Sequence, residues 1–157
     1  MGEVVSRVEL LERLRSLRAA GKTVALANGC FDILHVGHAR YLQGAALEAD
    51  VLIVAVNDDA SVRSLKGPDR PVMDAASRAE LLAALRPVHF VVTFPQLTPV
   101  SLIEAIRPDV HCKGPDYTVE TVPERDVVRA YGGRTAIVGG PKDHSTRGIV
   151  ARLRVQS

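Results

Sequence analysis

The chain predicts a doubly wound α/β domain of about five parallel strands, and three observations support this. Short apolar runs alternate with helix-period segments from residue 7 to residue 153. The connections between them are too short for anything but right-handed parallel crossovers. Val51 to Val56 is apolar at every position, as a parallel strand covered on both faces has to be.

Residues 7–20 place Leu10, Leu14 and Leu17 on one face with Val8 and Leu11 beside them, an amphipathic helix that Gly21 stops. Its arginines read as a solvated face. A strand over residues 22–27, ending at Ala27, and a helix over 36–48 follow. After the 51–56 strand, Asn57-Asp58-Asp59 caps a short helix near 59–65 that ends at Lys66-Gly67-Pro68. Asp74 caps a helix from Ala75 to Leu85, stopped by Pro87. Val88 to Phe94 is a strand, and Thr98 caps a helix running to Ile106. Asp109 to Lys113 is a short strand, 123–131 is helical, and Thr135 to Val138 is the last strand. Ser145 caps a final helix through Leu153.

The 157 residues suit a single domain over 1–157, with helix 1–21 packed on it. Hydrophobic residues make up 46% and charged ones 24%, which excludes a disordered chain. Aromatics at 4% and a net charge of +2 give neither stacking platforms nor a basic footprint for nucleic acid. Cys30 and Cys112 lack metal-binding spacing and end apolar runs, as in a reduced cytoplasmic protein. The charges from Glu9 to Arg18 leave no signal-peptide core, and no run approaches a membrane span. The apolar face of the first helix permits a homodimer.

The informative loops all follow strand ends. They are Asn28 to His38, Asn57 to Asp59, Lys113 to Tyr117, and Gly139 to Ser145. In a parallel sheet these share one rim, where ligands bind. Their glycines, lysines, aspartates, histidines and hydroxyls suit a phosphate-rich ligand with a metal ion. The first loop leads from a strand into a helix N-terminus, an anion site by virtue of its open N–H groups, with His35 and His38 beside it. Neither a Gly-x-x-x-x-Gly-Lys-Ser/Thr loop nor a Gly-x-Gly-x-x-Gly turn is present.

Gly29-Cys30-Phe31-Asp32 followed by His35-Val36-Gly37-His38 resembles the Gly-x-Phe-Asp and His-x-Gly-His signatures of the cytidylyltransferase-like nucleotidyltransferases. The resemblance runs from Thr23 to Leu153. Through Val54 to Ser61, Leu65-Lys66-Gly67, Arg70-Pro71-Val72, Arg78, Arg107-Pro108-Asp109 and Lys113 to Tyr117 it is greatest to one branch, the adenylyltransferases of ADP-heptose synthesis. Pro115 and Arg147 depart from that branch, which has Lys-Gly-Gly-Asp-Tyr and Ser-Thr-Thr there. Gly140 stands where glycerol-phosphate cytidylyltransferases carry an arginine.

The resemblance implies a Rossmann-like fold and transfer of AMP from ATP to a sugar 1-phosphate, D-glycero-D-manno-heptose 1-phosphate, with Mg²⁺ accompanying ATP and no metal ligand assigned in the protein. It implies a catalytic set of His35, His38, Lys66 and Arg78, the histidines on the α- and β-phosphates. Arg78 sits in the first turn of a helix, where a cation opposes the dipole, so it is expected to face an anion. Nucleotide binding falls to Gly29, Cys30, Phe31, Gly37, His38, Lys113, Asp116, Ser145 and Thr146. Acceptor binding falls to Asp32, Asp59 and Arg70. Bland readings compete: Phe31 and Tyr117 as core, Asp32 and Asp59 as turn and helix caps, Lys66 as a solvated lysine, Cys30 as a small buried residue. His144 and Arg147 have no assigned role. Two alternatives stand: transfer to another phosphorylated acceptor (glycerol 3-phosphate, phosphoethanolamine, phosphopantetheine or flavin mononucleotide), and a catalytically silent nucleotide-binding module.

Overall fold

The computed structural model describes residues 1–141 and 144–155. Six strands form one sheet: β1 (Glu3–Val4), β2 (Val24–Gly29), β3 (Val51–Asn57), β4 (Phe90–Phe94), β5 (Val110–Lys113) and β6 (Arg134–Ile137). Their order is β1-β4-β3-β2-β5-β6, with every pair parallel. The helices are α1 (Arg7–Ala19), α2 (Val36–Ala46), α3 (Asp59–Lys66), α4 (Ala75–Ala83), α5 (Val100–Ile106), α6 (Arg125–Ala130) and α7 (Thr146–Val155), with a 3₁₀ turn at Val119–Thr121.

Two cores flank the sheet because side chains alternate along each strand. On one face Ala25, Ala27, Leu52, Val54 and Val56 meet Tyr41, Leu42 and Ala45 of α2 and Ala79 and Leu82 of α4. On the other, Val24, Leu26, Ile53 and Ala55 meet Leu10 and Leu14 of α1, Leu102, Ile103 and Ile106 of α5, and Val128 of α6. All seven residues of β3 are buried, so its apolar run has the double coverage expected. The strand order reverses between β2 and β5. Their ladder ends at Ala27↔Cys112, whereas β2 stays paired to β3 as far as Gly29↔Val56. A crevice therefore opens on the β5 side of Asn28, where sheets of this order bind ligands.

Several expectations change. β1 is a sixth strand, two residues extending the β4 edge, and is too short to carry a period. β2 runs two residues past Ala27 because β3 still pairs there. Thr98 is not a cap: Pro99 precedes α5 and no side chain caps it. Val8 is 67% exposed, since only Leu10 and Leu14 of α1 are fully covered. Helices 36–48 and 75–85 end two residues early, at Ala46 and Ala83, and the Val88 strand begins at Phe90. Asp58 and Asp74 cap their helices as read, accepting from Ser61 and Ser77. Among the described residues no helix is long and apolar enough to cross a membrane.

Leu26 lies wholly inside the second core. Leu26→Ala should destabilise the fold by about 3 kcal/mol through lost transfer energy and the cavity left behind. A urea titration with unchanged slope and a lowered midpoint measures this.

Candidate active site

The turn after β2 is held by an unusual backbone. Phe31 has φ 48°, a left-handed conformation that is uncommon and costly for an aromatic residue. The turn drives its ring into the interior, 5.2 Å from the His38 ring and 6.3 Å from that of Tyr41. A side chain on Gly29 would begin 3.2 Å from the Phe31 ring, so that glycine makes room for it. Phe31 thus forms the floor under His38.

His35 and His38 form the start of α2 rather than merely decorating it. His35 is the N-cap, and its Nδ1 accepts the Gly37 N–H at 3.1 Å. His38 Nδ1 accepts the His35 N–H at 3.4 Å, closing a capping box made of two imidazoles. Their rings stack with centroids 3.9 Å apart. Since each Nδ1 is an acceptor, each neutral ring carries its proton on Nε2. Burial, reinforced by the His35 charge, lowers the His38 pKa from 6.5 to about 4, so His38 is neutral at physiological pH. Gly37 has a steric role: a Cβ there would lie 2.8 Å from Cε1 of His35.

Arg78, expected to face an anion, is fully buried. Its Nε donates to the Met73 carbonyl at 2.9 Å. One terminal nitrogen donates to the carbonyls of Cys30 (2.6 Å) and Asn57 (2.8 Å), and the other to the Asp59 carboxylate (2.7 Å). The anion it faces belongs to the protein. Arg78 therefore positions the ends of β2 and β3 and the loop before α4. Asp59, 39% exposed at its side chain, reaches the surface beside it.

Asp32 is likewise turned inward, with 2% exposure. Its carboxylate accepts from Nε of Arg70 at 2.5 Å and from the backbone N–H groups of Val72 and Met73 at 2.9 and 3.1 Å. Burial pushes this carboxyl up, but the Met73 and Val72 N–H groups and the Arg70 guanidinium outweigh it and hold the pKa below the ordinary value. Asp32 thus acts as a tether that clips the loop after α3 to the signature turn.

That loop and α7 enclose a cleft of about 480 Å³, lined by Lys66, Arg70, Arg147, Val150 and Arg154 among others. Lys66 is exposed at the last position of α3, next to Gly67 at φ 114°. The other wall is tied to the same turn, because Thr146 Oγ1 donates to the Ile33 carbonyl at 3.1 Å. Ser145 Oγ accepts the Gly148 N–H at 3.1 Å, the cap expected of it. The Thr146 hydroxyl proton is thereby spent, and the Ser145 hydroxyl and the first N–H groups of α7 stand at this end as donors that could meet an anion. Lys142 and Asp143 of the Gly139 to Ser145 loop lie outside the described residues.

Across the crevice, Lys113 ends β5 with 9% exposure, its ammonium 4.6 Å from the centre of the Tyr117 ring. Burial lowers its pKa, and Glu124 and Cys30 partly restore it. Asp116 is exposed on the following turn. Cys30, its thiol 3.9 Å from Asn57 Oδ1, has its pKa raised chiefly by burial and is no nucleophile. The turn after β2, Asp59, Arg70, Arg78 and the α7 N-terminus are thus joined by direct contacts, with Lys66 beside them. Lys113 and Asp116 stand on the opposite bank.

The family model described as cytidylyltransferase-like matches residues 26–149. The chain belongs to the cytidylyltransferase-like family. It is 46% identical over 155 residues to a bifunctional protein HldE of Syntrophotalea carbinolica, covering 96% of this chain and 32% of that protein. Identity to the protein of the same name from Geobacter metallireducens is 49% over 136 residues, covering 87% and 28%. The chain therefore spans about a third of the length of these curated relatives. The lipopolysaccharide core biosynthesis protein of Thermoplasma volcanium superposes with a TM-score of 0.67 at 24% identity, covering 78% of this chain and all of that one, a likeness of fold.

Three residues of this cytidylyltransferase-like chain make contacts at the rim that the sequence does not assign. Tyr41 reaches across the sheet to the Cys112 carbonyl at 2.7 Å, and Glu124 is buried near Lys113. Asn57 bridges Cys30 and the Gln96 carbonyl. An asparagine ending a strand was a readable signal; the other two depend on the tertiary fold.

Arg78→Met should cost about 3–5 kcal/mol, because it strands Asp59 and three carbonyls. A thermal melt checks this, and an unaltered melting temperature would remove the hub role. Unfolded, His38 and His111 protonate near 6.5; folded, only near 4 and 3. Between those values the unfolded chain binds more protons, so stability is full above pH 6.5 and falls as pH drops toward 4. Urea midpoints across pH 4–8 test the sign, and His111→Leu should flatten part of the slope.

Proposed function

We propose that the chain transfers the adenylyl group of ATP to a sugar 1-phosphate, D-glycero-D-manno-heptose 1-phosphate, and releases pyrophosphate. The observation that carries this reading is the doubly capped histidine pair. With both Nδ1 atoms committed to backbone N–H groups, two Nε2–H donors are fixed at a helix N-terminus.

The chemistry asks for little else. The acceptor's phosphate oxygen is already anionic at neutral pH, so it attacks the α-phosphorus with no proton to remove. A bond forms from that oxygen to the α-phosphorus as the α–β bridging P–O bond breaks in line, and the electron pair leaves on pyrophosphate. The protein contributes orientation and donors for the charge spread over the phosphoryl oxygens. Neutral His38 and its partner His35 donate to the α- and β-phosphates, while the N-terminus of α7 and Lys66 meet the outer phosphates. Mg²⁺ accompanying ATP would supply neutralisation of the phosphate charge.

The acceptor lies in the cleft between Lys66, Arg70 and α7, whose cations suit a sugar phosphate. The heptose is supported by the resemblance to the adenylyltransferases of ADP-heptose synthesis over Asn57 to Ser61, Leu65 to Gly67 and Lys113 to Tyr117.

A pyrophosphate-release assay pairing ATP, CTP and GTP with phosphorylated acceptors tests the reading. Turnover is expected with ATP and heptose 1-phosphate. Turnover only with another acceptor would replace the sugar, and ATP binding without release from any pair would leave a silent binding module. His38→Ala should lower kcat by roughly 10²–10³, the loss typical of one donor to a developing oxyanion.

A further inference from the structure

The ends of β2 and β5 are braced from both faces of the sheet. On the α2 face, the buried Tyr41 hydroxyl donates to the Cys112 carbonyl of β5. On the opposite face, His111 of β5 has no solvent exposure and sets Nε2 2.8 Å from Oδ1 of Asn28. Strand alternation explains the meeting: His111 is in register with Leu26, and Asn28 is the next residue of β2 on that face.

The proton in this contact can be assigned. Among the described residues Nδ1 of His111 has no hydrogen-bond partner. A proton there would be an orphaned buried donor, which is rarer and costlier than a lone pair without a partner. The proton therefore sits on Nε2 and is donated to Asn28 Oδ1. A leucine at 111 would fill the strand position without burying an unpaired nitrogen. What the imidazole adds is one N–H aimed at Asn28.

Asn28 stands where the β2–β5 ladder stops, and it is half-buried at the mouth of the crevice. With its oxygen spent inward, the side chain has only its amide N–H groups to offer. We propose that His111 and Asn28 are a positioning pair that presents the Asn28 amide as a fixed donor to an oxygen of the bound nucleotide. That oxygen is a ribose hydroxyl or a phosphoryl oxygen. This inference rests on the nucleotide reading proposed above, and it adds a specificity element outside the histidine signature.

The experiment measures ATP binding to the full chain by calorimetry for wild type, Asn28→Ala, His111→Leu, His111→Gln and the Asn28→Ala/His111→Leu double variant. Asn28→Ala should weaken ATP by about tenfold, a buried hydrogen bond's worth. His111→Leu should weaken it several-fold with a melting temperature no lower than wild type, which a merely structural histidine would not show. His111→Gln, with an N–H near the place of Nε2, should restore affinity, and the double variant should be no weaker than Asn28→Ala alone. If the oxygen is on the ribose, the Asn28→Ala defect vanishes with 2′- or 3′-deoxy-ATP; if phosphoryl, it persists with inorganic tripolyphosphate. Nitrogen-15 spectra should show His111 protonated at Nε2 alone, a readout that stands even if the leucine variant fails to fold. ATP binding by wild type with unaltered binding by folded His111→Leu, multiplying defects, or a proton on Nδ1 would each overturn the pair. Absence of ATP binding by wild type would instead overturn the functional reading, and this inference with it.

Discussion

The rim of this sheet is organised around one buried cation. Arg78 is charged and without solvent, so its fold must supply an anion and acceptors or lose several kcal/mol. It supplies Asp59 and the carbonyls of Cys30, Asn57 and Met73, from four separate points of the chain. Two of the carbonyls, those of Cys30 and Asn57, lie at the ends of β2 and β3 and the third in the loop before α4, so a single side chain satisfies acceptors from separate segments at once. The same contacts fix how the turn after β2 lies relative to β3 and the loop before α4. A planar guanidinium suits this task because its donors diverge in fixed directions, which an ammonium could not reproduce.

Around that hub, the chain builds its anion site from backbone rather than from charge. Phe31 accepts a strained conformation, and in return its ring supports the His38 imidazole from below. The helix that follows opens with two histidines whose inner nitrogens are committed, so the outer ones have a defined chemical sense. Asp32 and Thr146 then tie the two walls of the cleft to the same turn. Loop and last helix are thus referenced to one short segment of sequence.

Much of this was legible beforehand. The β3 run, the alternation of elements and the caps at Asp58 and Asp74 are local signals, and local signals survive folding. β1 escaped because two residues have no period, and the supposed Thr98 cap gave way to Pro99 because a hydroxyl before a helix is only permissive. The site shows the same division. The signature from Gly29 to His38 could be read, and Arg78 was correctly marked as a cation ill-placed for the helix dipole. Its anion could not be read, because Asp59 lies nineteen residues away and only the fold brings them together. The contacts of Asp32 with Arg70, Val72 and Met73 are hidden from the sequence for the same reason, since they lie 38 to 41 residues away.

Gly37 deserves to be seen through its neighbour. The space its missing side chain would fill is occupied by the ring of His35, which lies back against the glycine backbone. Adding a methyl group at 37 would push that ring outward, and Nδ1 would lose the N–H that makes it an acceptor. The proton could then migrate between the two nitrogens, and Nε2 would no longer be a fixed donor. A glycine with no polar side chain thus governs the tautomer of a histidine two residues before it.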